Sequence, residues 1–257
     1  MEQLHGLVVR EVDYRDNDKI ITILTDKLGK ISANVPGGRS IKSKRMAACG
    51  LFCYSTFSLS RRGSHYIVSQ ASLIENFYRI REDVVRLSLG YYIAQLAEGV
   101  SEENLESEEL LRLTLNTLFV LAKGKTPLAQ VKAVYELRLM CAIGQMPDLV
   151  ACRECGCYEG DIFLLPGEGR LLCASCAASE PEEVMEQAIP LNRTVLTALR
   201  YIVFAEDKKI FQFHVSGENL RYLSQVTERY LLYRLDRHFS ALDFLKTVLG
   251  PEQGTEA

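Results

Sequence analysis

Four cysteines in two pairs constrain this chain more than any other feature. The segment from Cys152 to Cys176 reads CRECGCYEGDIFLLPGEGRLLCASC, so Cys152 and Cys155 form one CxxC pair, Cys173 and Cys176 a second, and 17 residues lie between them. Two thiolates separated by two residues fit one turn around a metal ion, and a short hairpin can bring the second pair up to complete a tetrahedron. The intervening residues suit that hairpin: Asp161 to Leu165 is a short apolar strand, Pro166 to Gly169 a turn, and Arg170 to Leu172 leads back. The expected occupant is one structural zinc on Cys152, Cys155, Cys173 and Cys176. Iron on the same sulfurs, a dithiol redox couple and simple apolar burial are the alternatives; the lack of a βαβ pattern around either pair weighs against redox. A catalytic zinc keeps an open position and normally takes His or a carboxylate. None of His5, His65, His214 and His238 is near the cluster in sequence, and no HxE motif of the deaminase type is present. Cys157 is a spare thiol able to replace Cys155.

At 257 residues the chain can bury a sizeable core in two or three compact units. No run approaches the 18 apolar residues of a membrane span, and the charged start MEQLHGLVVREVDYRDND is unlike a signal peptide. Eight cysteines with four spaced for metal point to a reducing compartment, so a cytoplasmic protein is expected, without a membrane or small-molecule partner. Cys49, Cys53, Cys141 and Cys157 are read as small buried hydrophobes.

The first 75 or so residues read as strands: Gly6–Arg10, Lys19–Thr25, Lys30–Val35, Leu51–Ser60 and Tyr66–Leu73, separated by turn-rich pieces. Five short strands in this length suit a small barrel, the OB-fold being the commonest and an SH3-like barrel reading almost the same. Near Phe77 the period changes to a helical one. The first helix, within Arg81–Val100, has its apolar stripe at Val84, Leu87, Tyr91, Ala94 and Leu96. The second opens at an N-cap Ser107 and is lined by Leu111, Leu115, Leu118 and Ala122. The third starts at Thr126-Pro127, carries Val131, Val134, Leu137 and Cys141, and stops at Gly144. Helices near 193–205, 218–237 and 241–249 follow the cysteine ribbon, with Tyr222, Tyr230 and Tyr233 as a packing stripe. The expected fold is multidomain α+β. A five-stranded OB barrel (1–78) precedes an all-α domain (79–150 and 181–250) that a four-cysteine zinc ribbon (151–180) interrupts and staples, and 251–257 forms a flexible tail.

Charge is asymmetric. Residues 1–80 carry 12 Lys and Arg against 7 Asp and Glu, whereas residues 81–257 carry 18 against 26. A polyanion partner is therefore expected on the N-terminal part. The loop Pro36–Arg45 concentrates Arg39, Lys42, Lys44 and Arg45 without an acid, and Arg10, Lys19, Lys27, Lys30, Arg61 and Arg62 extend the surface. Cations that track phosphates and aromatic faces for bases are what a single-strand-binding barrel needs; Tyr14, Tyr54, Phe57 and Tyr66 are the stacking candidates, with a solvated loop and a core position as the ordinary roles. No P-loop, GxGxxG after a strand, GxSxG or HExxH occurs, so the chain is expected not to be an enzyme.

The ordered set of parts resembles the RecO family of bacterial recombination mediators over about residues 4–249. GLVVREVDYRDNDKIITILTDKLGKISANVPGGR (Gly6–Arg39) is similar to the family's first strands, SQASLIENFYRIRED (Ser69–Asp83) to its link from barrel to helices, and RHFSALDFL (Arg237–Leu245) to its C-terminal helix. The four cysteines match the family's zinc-binding form. The resemblance implies an OB-fold that binds single- and double-stranded DNA, promotes annealing and works with RecR. It also implies help in loading RecA onto DNA covered by single-strand-binding protein, whose C-terminal acidic tail docks on some members. The loop departs from the family pattern, which carries a Lys at its start and paired arginines where this chain reads PGGRS. A zinc-stabilised interaction scaffold with little DNA contact is the competing reading, and a metalloenzyme a third.

Overall fold

The computed structural model describes residues 2–40, 44–63 and 65–250. Lys42 and the expected flexible tail 251–257 lie outside the described residues.

Alternating β-branched and apolar residues form the strands. β1 (Glu2–Tyr14), β2 (Asp18–Thr25), β3 (Lys30–Val35), β4 (Tyr54–Arg62) and β5 (His65–Glu75) close into a barrel in the order β1-β2-β3-β5-β4. The closing pair is parallel, with Ala33 opposite Tyr66 on β3 and β5. Bulges at Val8/Arg10 and Ser58/Leu59 bend the long strands as a small barrel requires. The inward set, including Val8, Ile21, Ile23, Val35, Phe57 and Val68, is fully buried and fills the interior. The expected loop 36–45 ends in a short helix, α1 (Lys44–Ala48), because the following Ala48 and Cys49 are small enough to bury against the barrel. The Ser55 hydroxyl donates to the Ala48 carbonyl (2.8 Å) and holds this end in place.

The contacts group the helices differently from the expected 79–150 and 181–250 domain. Two compact units form, Met1–Lys125 with Phe239–Ala257, and Thr126–His238. In the first, α2 (Val84–Val100), α3 (Glu108–Lys123) and α9 (Ser240–Leu249) accompany the barrel. Gln95 of α2 donates to Ser240 Oγ (3.2 Å) and accepts from the Ala241 N–H (3.0 Å), while Tyr92 meets Phe239 edge-on. The helical period of α2 is as expected, but its stripe is only partly right: Ala94 and Leu96 are buried and Leu87 half-buried, whereas Val84 and Tyr91 are exposed and Leu89, Tyr92 and Ile93 take buried positions. The helix packs on β1, α3 and α9 at once, so much of its circumference is apolar and no single stripe stands out. Ser107 occupies the N-cap of α3 without capping it, since its hydroxyl donates to the Leu105 carbonyl.

A backbone clamp fixes the β2–β3 turn. Lys30 N–H donates to Glu102 O (3.1 Å), Asn104 N–H to Leu28 O (2.9 Å) and Ser107 N–H to Asp26 O (3.1 Å). Gly29, at φ +62°, has its Cβ position 2.0 Å from Glu102 O, so only glycine fits.

The second unit holds α4 (Leu128–Ala142), α7 (Arg193–Phe204) and α8 (Gly217–Leu235) with the ribbon sheet. Pro127, not Thr126, occupies the N-cap position of α4. In the sheet, β6 (Asp148–Cys152), β8 (Arg170–Cys173), β7 (Ile162–Leu165) and β9 (Ile189–Leu191) are neighbours in that order, so it extends beyond 151–180 on both sides. The turns α5 (Ala174–Ala177) and α6 (Glu182–Met185) join β8 to β9. Of the tyrosine stripe on α8, Tyr230 is core, Tyr222 is half-buried with its hydroxyl on Pro190 O, and Tyr233 is exposed. Between α4 and α8 lies a buried ionic group that periodicity does not reveal: Lys132 Nζ is 2.8 Å from both Glu136 and Glu228, and Thr227 donates to Glu136 at 2.7 Å.

Candidate metal centre and nucleic-acid interface

The ribbon brings the two cysteine pairs together through local rules. Cys152 ends β6, and the turn after it carries Cys155 with Gly156 at φ +73°. Cys173 ends β8, and the one-turn α5 presents Cys176. β7 and β8 pair antiparallel through Ile162↔Cys173 to Leu165↔Arg170, the hairpin that carries the second pair back to the first. The four sulfurs lie within 4.8 Å of one another, and Cys155 and Cys173 are 3.6 Å apart. A tetrahedron with bonds of about 2.3 Å needs sulfurs about 3.8 Å apart, so the donor set fits a zinc-type ion.

Thiol chemistry supports the same fit. Burial pushes Cys152 up, but backbone N–H groups of Cys155, Cys173 and Glu154 outweigh it and bring the thiol down to about 6. The Cys176 N–H does the same for Cys173, against burial, and lowers it. The Cys157 N–H favours the Cys155 thiolate, yet contact with the other thiols raises Cys155; Cys176 is raised by proton sharing, with Cys155 first. Four thiols cannot all lose their protons at this spacing without a cation, and a divalent ion supplies that charge. The four donors form a closed shell of one chemical type, as in structural sites. Cys157 is turned to other use, its Sγ donating to Glu159 O at 3.0 Å. Of the cysteines expected to be buried, Cys49 and Cys53 are, whereas Cys141 and Cys157 are half-buried.

The barrel sorts its cations into two sets. Most have intramolecular duties. Lys19, mostly buried, pairs with Glu11 at 2.9 Å. Arg10 pairs with Glu98 at 3.4 Å, and Lys30 Nζ donates to the Glu98 carbonyl at 2.8 Å. Arg45 donates to Val68 O at 3.1 Å. Arg39 donates to the Arg15 and Asp16 carbonyls and pairs with Asp13 at 3.4 Å, though its side chain stays 41% exposed. Lys44 lies in α1, and its side chain is outside the description.

The second set sits on hairpin tips. In the β4–β5 turn, Arg61 and Arg62 are exposed; Arg61 donates through Nε to the Gly63 carbonyl (3.2 Å) and lies over the Tyr66 ring at 5.9 Å. In the β1–β2 turn, Arg15 lies over the Tyr14 ring at 5.0 Å. Arg15 is not among the cations that the sequence singles out; its signal is the Asp-Tyr-Arg-Asp-Asn-Asp turn, where its φ of +55° sets the backbone. Lys27 is also exposed. Phe57 is fully buried in the barrel core and Tyr54 is half-buried near His5 (ring centroids 6.3 Å), so of the four stacking candidates Tyr14 and the half-buried Tyr66 lie beside exposed cations.

Comparison with known proteins follows these parts in order. A family model described as recombination protein O N terminal matches residues 1–77, and one described as recombination protein O C terminal matches residues 81–243. A protein named DNA repair protein RecO from Acetivibrio thermocellus is 35% identical over 247 residues, covering 95% of each chain. The protein of that name from Alkaliphilus metalliredigens is 31% identical over 245 residues, 95% of this chain and 98% of the relative. That of Symbiobacterium thermophilum is 27% identical, over 95% and 96%. With both halves matched and the relatives spanned almost end to end, the chain belongs to the RecO family of DNA repair proteins.

Proposed function

We propose that the chain is a non-enzymatic mediator of recombinational repair that binds DNA through its barrel. The observation that carries this reading is the pairing of an exposed arginine with a tyrosine at two hairpin tips, Arg15 over Tyr14 and Arg61 over Tyr66, with Arg62 adjacent. In an OB barrel the loops joining strands 1–2 and 4–5 are the ones that meet oligonucleotides. The arginines neutralise phosphates and the tyrosine faces accept unpaired bases, which leaves strands held but free to pair, the requirement for annealing. Arg39, at the foot of the first turn, continues this face, and Lys42, Lys44 and Arg45 are proposed as further phosphate contacts; Arg10, Lys19 and Lys30 act chiefly through the fold.

Family membership supports the finer parts: action with RecR, loading of RecA on DNA covered by single-strand-binding protein, docking of that protein's acidic C-terminal tail, and a cytoplasmic, nucleoid-associated location. One zinc on Cys152, Cys155, Cys173 and Cys176 is proposed as a structural cofactor.

The test is binding of a fluorescent single strand across a salt series, for wild type and for Arg61→Ala/Arg62→Ala. Each lost phosphate contact should reduce the slope of log affinity against log salt by about 0.7, so the double variant should lose about 1.4. An unchanged slope removes these arginines from the interface, and no binding by wild type at low salt favours the scaffold reading.

A further inference from the structure

We propose a second nucleotide site at the other end of β5, which takes one unpaired nucleotide of single-stranded DNA. The inference rests on the DNA-binding reading above but uses different residues. The hairpin arginines flank the start of β5 at His65, and the strand ends ten residues later at Glu75, roughly 30 Å away. There a cavity of about 470 Å³ opens, lined by β5's last residue, the 3₁₀ turn Tyr78–Glu82 and the C-terminal part of α3. Two large aromatics face it half-open: Tyr78 is 59% exposed and Phe119 48% exposed.

The lining carries two cations and two carboxylates, so it suits a ligand that has an anionic group and hydrogen-bond donors on a planar body. Lys123 lies over the Phe119 ring at 4.1 Å, and Arg79 is exposed beside Tyr78; neither has a carboxylate partner among the described residues. Of the two lining acids, Glu75 keeps its charge but has one oxygen occupied, Oε1 accepting the N–H groups of Asn76 (2.8 Å) and Phe77 (3.0 Å). That capping holds Phe77 at φ +45°, and Asn76 Oδ1 takes the Tyr78 N–H (3.1 Å), so the backbone that presents Tyr78 is fixed. Glu82 remains as an exposed acceptor on the rim.

Two cations for a phosphate, two rings for a base face and one carboxylate for an exocyclic amino group match the parts of a nucleotide. A base inside a duplex cannot enter such a cavity, so the ligand is single-stranded. A highly acidic peptide would gain from Arg79 and Lys123 but meet Glu82, which makes it the weaker candidate. Two single-strand sites at opposite ends of one strand of the barrel would let one molecule hold two DNA strands at once.

The chain contains no tryptophan, so Phe119→Trp supplies a unique reporter. The probe is an oligodeoxycytidylate of about six nucleotides, within the length one OB barrel covers. Saturable quenching of the introduced indole's fluorescence is expected, with affinity falling at least tenfold on adding Tyr78→Ala. In calorimetry, wild type should bind two equivalents, and the surface variant Arg79→Glu/Lys123→Glu one, the remaining equivalent being lost with Arg61→Ala/Arg62→Ala. A single equivalent that vanishes with the hairpin variant, with no quenching, overturns the second site and leaves the barrel reading intact. Quenching that survives while the hairpin variant has no effect keeps the second site and removes the barrel reading. Quenching by a short acidic peptide, but not by the oligonucleotide, overturns the proposal in favour of a protein ligand.

Discussion

Lys132, Glu136 and Glu228 form a buried group in which each charge depends on the others. Burial opposes the Lys132 ammonium, but the two carboxylates outweigh it and raise its pKa; burial likewise pushes Glu136 up against the pull of Lys132. Lys132→Met leaves two carboxylates together in the core, and a loss of about 3–5 kcal/mol is expected, read as a lower urea midpoint at unchanged slope. The alkaline limit of the fold belongs to other residues. Burial pushes the Cys49 thiol from 9.0 and the Tyr230 hydroxyl from 10.0 up to about 12 each. A group whose pKa is raised by folding contributes stability fully present below its unfolded value and lost as pH rises through the folded one. Thermal midpoints should therefore be unaffected by these groups below about pH 9 and fall between pH 9 and 12. Cys49→Ala and Tyr230→Phe should each flatten that limb, by on the order of 3–4 kcal/mol at its far end; an equally steep limb in both variants refutes the assignment.

At the scale of elements, the ribbon and the β2–β3 turn rest on different forces. The ribbon has a short sheet and four sulfurs close enough to share an ion, so the proposed metal would contribute its binding energy directly to folding. A strong chelator should lower the melting temperature, and Cys173→Ser should reduce bound zinc to well below one per chain. Cys157→Ser should keep one zinc, because Cys157 Sγ bonds to Glu159 O outside the cluster. The β2–β3 turn is held by backbone hydrogen bonds and by the Thr25 hydroxyl, which donates to Gly29 O (2.8 Å) and accepts the Leu28 N–H (3.0 Å). Gly29→Ala adds a methyl 2.0 Å from a carbonyl at a left-handed φ, and a cost of about 2 kcal/mol or more is expected in denaturant titration.

For the whole molecule, the division into two compact units separates the candidate metal centre from the barrel's exposed cations. Chelation is accordingly expected to destabilise the cysteine-bearing unit while leaving oligonucleotide affinity within about twofold at fixed salt; a larger loss would tie the metal to binding. The element types, the CxxC spacing, the barrel's strand rhythm and the presence of a basic N-terminal third were legible in the chain, because each depends on residues near one another in sequence. Helical period, turn glycines and two-residue thiol spacing are local properties. Which cations stay available was not legible: Arg10 is claimed by Glu98 and Arg45 by the Val68 carbonyl, across 88 and 23 residues. The buried side of α2, the place of α9 beside the barrel and the Lys132–Glu228 pair were decided by tertiary structure for the same reason. Burial and ion pairing are settled by which partner arrives from elsewhere in the chain, and local pattern carries no record of that partner.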